Sequence, residues 1–300
     1  MGAPTERHWP RLMTALVTPF DDDLRVDAGA AADLAEYLVI KGATGVVLAG
    51  TTGESPTLSA EERLHLCAAV SGRLRGRGTI LLNVGSNDTA ASAQMAVQAG
   101  EAGADGVMVV VPYYNRPPQE GLRRHFGTVA AATPLPVMVY NVPSRTACNL
   151  QPATLAAVVA DQPNVVAVKE ATADLEQVAE SLQRLPAPFL LYSGDDARTL
   201  PVMAMGGYGV VSVASHLVPA PMAQLVDALA TGEMTTARRL HLELSPLFRA
   251  LFLTTNPIPV KAMLAMAGFR VGGFRAPLCP PSPEELERLR RVVDELALVP

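Results

Sequence analysis

The feature that most restricts this chain is an alternation. Eight short apolar runs rich in β-branched residues recur along it: Leu12–Val17, Gly45–Ala49, Thr79–Val84, Gly106–Val111, Pro136–Tyr140, Val165–Lys169, Phe189–Tyr192 and Gly209–Val213. Runs this short and this apolar read as strands buried on both faces, the signature of a parallel sheet. Between them lie amphipathic, helix-like segments at Ala28–Lys41, Ser59–Leu74, Thr89–Ala102, Gly121–Ala132, Leu155–Ala160 and Leu175–Leu185. Ser59 followed by Glu62 has the spacing of a capping box, and Asp88, Thr172 and Asp195 suit helix N-caps. Right-handed βαβ crossovers repeated eight times predict a closed (β/α)8 TIM barrel, with a doubly wound open sheet as the runner-up.

Past Val213 the rhythm changes. Pro219–Thr231, Met234–Leu253, Pro257–Met266 and Pro283–Leu296 all read as helices, and no strand pattern follows. The first completes the eighth barrel unit. The rest form a C-terminal helical extension, so residues 1–232 are expected to be the barrel and 233–300 the helical domain. Pro277 to Pro283 is a stiff linker ahead of the last helix.

At 300 residues and 49% hydrophobic content there is ample material for one large core. A net charge of −5 leaves no basic footprint, which argues against nucleic acid or an anionic membrane as partner. Cys67, Cys148 and Cys279 lie far apart without a C-x-x-C spacing, as expected of free thiols in a reducing compartment. The first ten residues, Met1 to Pro10, lack the apolar core of a signal peptide, and Glu6 stands where a myristoylation signal wants Ser or Thr. The expected location is the cytoplasm.

One strand candidate ends unusually. Val165–Val168 runs into Lys169, one of only three lysines (Lys41, Lys169, Lys261) among 24 basic residues, the other 21 being arginine. Arginine stays protonated, whereas a desolvated lysine can shed its proton and attack a carbonyl. A lysine snorkelling to solvent from a strand end is the competing reading.

In such barrels the active site is built at the C-terminal ends of the strands. There the sequence places Gly50-Thr51-Thr52-Gly53-Glu54-Ser55, a turn whose amides and hydroxyls suit a carboxylate or phosphate. It also places Pro112-Tyr113-Tyr114-Asn115-Arg116, Tyr140-Asn141-Val142-Pro143-Ser144-Arg145-Thr146, Ser193-Gly194-Asp195-Asp196 and Ser212-Val213-Ala214-Ser215. A phenol can relay a proton and an arginine can grip a carboxylate. An amine, an anion-binding turn, phenols and a guanidinium on one barrel face suit Schiff-base chemistry on an α-keto acid. The five histidines show no metal-ligand spacing, Asp21-Asp22-Asp23 lacks the rest of a calcium loop, and Gly207-Tyr208-Gly209 precedes a strand instead of following one.

Together with Val168-Lys169-Glu170-Ala171-Thr172 and Asn256-Pro257-Ile258-Pro259-Val260-Lys261, these motifs resemble, in order and over nearly the whole chain, the dihydrodipicolinate synthase family. That family is a branch of the pyruvate-dependent class I aldolases, which include N-acetylneuraminate lyase. The resemblance implies that Lys169 forms a Schiff base with pyruvate, which condenses with aspartate-4-semialdehyde to give 4-hydroxy-tetrahydrodipicolinate. It implies a proton relay of Tyr140, Thr51 and Tyr114, the last supplied by a neighbouring subunit. Thr52 would hold the pyruvate carboxylate and Arg145 that of the semialdehyde, with Gly194 and the Val211 carbonyl lining the site. It further implies a homotetramer built as a dimer of dimers, with no metal and no organic cofactor.

Some positions depart from the pattern. Ala147 and Asn149 replace a common Gly and Asp, and Val111 a common Thr. A sister aldolase acting on a sugar acid or 4-hydroxy-2-oxoglutarate stays open, as does, more remotely, a non-catalytic metabolite-binding barrel. Where lysine-sensitive family members bind their inhibitor, Asn87 and Tyr113 match, but Ala60, Arg63 and Ala91 replace His, His and Glu. The expectation is weak or absent feedback by lysine.

Overall fold

The structure is a computed structural model and describes residues 9–296. Met1 to His8, most of the segment read for targeting features, lie outside them. Eight strands, β1 (Leu12–Ala15), β2 (Gly45–Leu48), β3 (Thr79–Asn83), β4 (Gly106–Val110), β5 (Val137–Asn141), β6 (Val165–Glu170), β7 (Leu190–Ser193) and β8 (Gly209–Ser212), close into a barrel. Each lies parallel to its sequence neighbour, and β8 pairs back onto β1 through Met13↔Val211. This is the TIM barrel the alternation predicts.

Strand ends differ from expectation by a residue or two, for local reasons. The first strand stops at Ala15 because Val17 N–H leaves the ladder and donates to His216 Nε2 at 3.1 Å. The fifth, sixth and seventh each run one residue further, because Asn141, Glu170 and Ser193 stay in register although they are polar. An apolar-run criterion ends too early there.

The helices are α1 (Ala28–Ile40), α2 (Ala60–Leu74), α3 (Thr89–Glu101), α4 (Gln119–Ala131), α5 (Pro143–Thr146), α6 (Pro152–Asp161), α7 (Leu175–Arg184), α8 (Thr199–Ala204), α9 (Pro219–Ala230), α10 (Met234–Ala250), α11 (Ile258–Met266) and α12 (Pro283–Glu295). The capping box of Ser59 and Glu62 opens α2, and Asp88 caps α3. Asp195 caps a single 3₁₀ turn. Thr172 is not a cap, contrary to expectation. Asp174 takes that place, its carboxylate accepting from Glu176 N and Gln177 N, while Thr172 Oγ1 accepts from Asp174 N. Helices α5 and α8 are too short to leave a periodic trace in the sequence.

Side chains alternate across each strand. Ile80 and Leu82 face the helices, whereas Leu81 joins Met13, Val47, Met108, Met138, Tyr140, Ala167, Tyr192 and Val211 in the barrel interior. Asn83 and Lys169 fall on the same inward alternation, one step closer to the C-terminal rim of the barrel. Gly209 is glycine because a Cβ there would lie 2.0 Å from Arg11 O across the β1–β8 pairing. Its resemblance to a nucleotide motif thus has a packing cause. After the barrel, α10 packs on α9 and α11 on α12.

Among the described residues no helix is long and apolar enough to cross a membrane. Nor does any group of three or more His, Cys, Asp or Glu there stand ready to hold a metal ion. His216 is neutral by construction: Nε2 accepts from Val17 N, Nδ1–H donates to Val213 O, and burial pushes its pKa down to about 4. Asp21 to Asp23 form a surface turn paired with Arg25.

Candidate active site

Tyr140 and Lys169 are direct partners in the β5–β6 ladder. Both side chains are about nineteen-twentieths buried, and Lys169 Nζ sits 4.1 Å from the centre of the Tyr140 ring. An ammonium over a phenol face gains a cation–π contact. Among the described residues Lys169 has no carboxylate partner, whereas Lys261 is paired with Glu54. Gly194, at the end of β7, flanks the lysine: a Cβ there would lie 3.2 Å from Lys169 Cε and 2.8 Å from Ala171 Cβ. Any larger residue would press on the lysine stem. Val211 belongs to the same interior cluster as Tyr140.

The turn after β2 is stretched between two non-glycine residues in the left-handed region, Ala49 (φ 51°) and Glu54 (φ 56°). Such backbone persists only where the surroundings hold it. Asn83 Nδ2 donates to Ala49 O at 2.9 Å at the start of the turn. Thr18 Oγ1 donates to Gly53 O at 2.7 Å near its end. Glu54 is buried and paired at 2.8 Å with Lys261 of α11, which also donates to the carbonyls of Thr18 and Gly273. Thr52 is 3% exposed, its Oγ1 accepting from Asn256 Nδ2 at 3.0 Å. Thr51, next to it in the same turn, is half-buried, and its carbonyl accepts from Glu54 N at 3.1 Å.

Arg145, in α5 just past β5, is exposed except where its Nη2 donates to Asn256 O at 3.3 Å. Tyr114 stands apart. It projects from the loop after β4 at φ 74°, with 88% of its surface open. No hydrogen bond within the described residues joins it to Thr51 or Tyr140. Lys169, Tyr140 and Gly194 are thus gathered at one end of the barrel, Thr52 and Arg145 are joined through Asn256, and Tyr114 is exposed.

Behind the lysine, Glu170 faces outwards into a buried polar network. Its carboxylate accepts from Asn141 Nδ2, Thr172 N and Gln177 Nε2 at 2.8–3.3 Å, and Asn149 links Asn141 to Gln177. Burial outweighs these donors and pushes its pKa up to about 7. Asp196, wholly buried beside β8, accepts from Val213 N and Ala214 N at 2.9 Å each and so fixes the turn that follows Val211. Burial raises its pKa as well.

Sequence reasoning did not assign Asn83, Asn256 or Glu54 a role. Lys261, noted there only as a rare lysine within a family motif, is 1% exposed and bonded to Thr18 O and Glu54 Oε1, and what it braces is the turn after β2. The available signal was composition: a second rare lysine, in a segment flanked by prolines.

The model of the dihydrodipicolinate synthetase family matches residues 8–296. The 4-hydroxy-tetrahydrodipicolinate synthases of Desulforamulus reducens and Moorella thermoacetica are 46% and 48% identical, covering 96% and 97% of this chain and 98% and 99% of theirs. Among solved structures, the dihydrodipicolinate synthase of Aquifex aeolicus superposes with a TM-score of 0.95 at 40% identity over 97% of this chain and 99% of its own. The enzyme of Cyanidioschyzon merolae, solved with lysine bound, gives the same TM-score, identity and coverages. A parallel barrel with Lys169 buried at its rim and a match over its full described length have one reading: the chain belongs to the dihydrodipicolinate synthetase family.

Proposed function

We propose that the protein is a Schiff-base lyase that condenses pyruvate with L-aspartate-4-semialdehyde to give 4-hydroxy-tetrahydrodipicolinate, the step that feeds diaminopimelate and lysine synthesis. The observation that carries this is Lys169, buried beside Tyr140 without a carboxylate partner among the described residues. The relatives' shared name supports the choice of second substrate.

The amine of Lys169 attacks the pyruvate carbonyl, and loss of water leaves an iminium. Thr52 receives the carboxylate. A C3 proton leaves, moved through Tyr140, Thr51 and a neighbour's Tyr114, and the enamine carbon attacks the aldehyde. That oxygen takes a proton and becomes the 4-hydroxyl, while Arg145 holds the semialdehyde's carboxylate. The product's own α-amine then attacks the iminium carbon, closes the ring and releases Lys169. Gly194 and the Val211 carbonyl shape the space around that carbon. The exposure of Tyr114 suits a homotetramer built from dimers that exchange this residue. Residues 1–232 carry the chemistry, 233–300 brace it, and the setting is the cytoplasm.

Borohydride reduction in the presence of pyruvate, followed by mass mapping, tests the core of this reading. A single adduct on Lys169 is expected, and an adduct elsewhere sinks it. Lys169→Arg should fold normally and trap nothing, since guanidinium offers no free amine. Assays with aspartate-4-semialdehyde, N-acetylneuraminate and 2-keto-3-deoxygluconate decide the branch.

A further inference from the structure

Asn256 comes from the segment between α10 and α11, outside the barrel strands, yet it touches both groups read as carboxylate holders. Its side-chain amide donates to Thr52 Oγ1 at 3.0 Å, and its backbone carbonyl accepts from Arg145 Nη2 at 3.3 Å. It is 5% exposed, and its Oδ1 is buried without a partner among the described residues. A buried amide that leaves its acceptor empty to aim its donor has been committed to one contact.

That contact has a chemical consequence. A threonine hydroxyl has one proton to give and lone pairs that accept. With the Asn256 N–H pointed at Oγ1, the hydroxyl proton must rotate away from Asn256. Within the described residues Thr52 Oγ1 makes no hydrogen bond other than the one it accepts from Asn256. Lys261, five residues on, ties the same segment to Glu54, so the donor and the turn it addresses are held together.

We infer that Asn256 is a positioning residue that sets the polarity of Thr52, turning its hydroxyl proton toward the keto-acid carboxylate. This rests on the reading of Thr52 given above. The C-terminal helical segment is therefore part of the active site through Asn256, as well as a brace beneath it.

A double-mutant cycle of Asn256→Ala and Thr52→Val tests this, with Asn256→Ser in parallel. Steady-state KM for pyruvate, kcat and borohydride trapping on Lys169 at saturating pyruvate are measured for each. Asn256→Ala is expected to raise KM about tenfold, the equivalent of about 1.4 kcal/mol, with kcat falling much less. In the Thr52→Val background the same change should move KM less than about twofold, because the hydroxyl it acts on is gone. Equal effects in both backgrounds, or an unchanged KM, overturn the inference. If Asn256→Ala does not fold, Asn256→Ser is read by the same criteria. Failure of both to fold makes Asn256 a folding residue and also overturns it. Absence of any trapped adduct in the unsubstituted protein sinks the aldolase reading itself, whereas trapping with additive effects sinks only the role of Asn256.

Discussion

Lys169 Nζ lies 4.1 Å from the centre of the Tyr140 ring because the two residues are matched in register on adjacent strands. The β5–β6 ladder therefore sets the distance between amine and phenol, with no loop involved. Strand positions hold geometry more tightly than loops do, which suits the roles proposed for these two side chains. Gly194 completes the clamp from β7.

The exposure of Tyr114 leads to a complementation experiment. Tyr114→Phe and Lys169→Arg subunits should each be nearly inactive alone, with kcat reduced at least about a hundredfold, the lower range for a lost proton-transfer group. Mixed and reassembled, they should recover activity, because a Lys169 site then receives Tyr114 from its neighbour. Recovery no greater than the sum of the separate activities would show that the residue acts within its own chain or not at all.

Lysine should inhibit this protein weakly or not at all. Arg63 stands where lysine-sensitive relatives are expected to carry a histidine, and its Nη2 donates to Ser55 O at 2.7 Å beside Tyr113. A second cation brought next to a half-buried guanidinium is repelled, and Ala60 and Ala91 offer no compensating group. Half-inhibition at sub-millimolar lysine in a steady-state assay contradicts this.

The Lys261–Glu54 pair is buried on both sides, with 0% and 1% of the side chains open. Removing one partner leaves a buried charge alone and should cost about 3–5 kcal/mol. Lys261→Met and Glu54→Gln are each expected to lower the urea midpoint and to raise KM for pyruvate, since both loosen the carboxylate turn. The double variant should be more stable than either single one, because it leaves no orphaned ion. A double variant worse than both would show that the pair acts mainly by its shape.

Glu170 makes stability depend on pH in a stated direction. Its folded pKa, pushed up to about 7 by burial, lies above its ordinary value of 4.5. The native state thus holds a proton the unfolded chain has released. Its contribution is present below about pH 4.5 and is lost as pH rises through 7. Glu170→Gln removes this slope. Between pH 5 and 7 the parent should lose stability relative to the variant by up to about 1.4 kcal/mol per pH unit. The buried histidines, with pKa values pushed down, oppose it at the acid end but are common to both proteins. Parallel curves of Tm against pH for the two proteins argue that Glu170 is ionised throughout.

The barrel was legible because the pattern that specifies it is local. Buried parallel strands must be apolar and short, helices must be amphipathic, and both periods show within a dozen residues. That Lys169, Thr51, Thr52, Tyr140, Tyr114 and Arg145 stand at or just past strand ends was legible for a related reason: once strands are placed, topology puts their C-terminal ends on one face. Polar strand ends such as Asn141 and Glu170 were missed, since burial in a network, and not apolarity, keeps them in the ladder.

What the sequence determined by itself was the architecture and the chemistry available at its rim. Only the tertiary structure decided how that chemistry is held. Asn256 reaches Thr52 across 204 residues, and Lys261 reaches Glu54 across 207. No local period encodes either contact. Both exist because the helices beyond the barrel fold back over the turn after β2, and a hydrogen bond between chain-distant groups becomes specific only when closure of the whole fold brings donor and acceptor within reach.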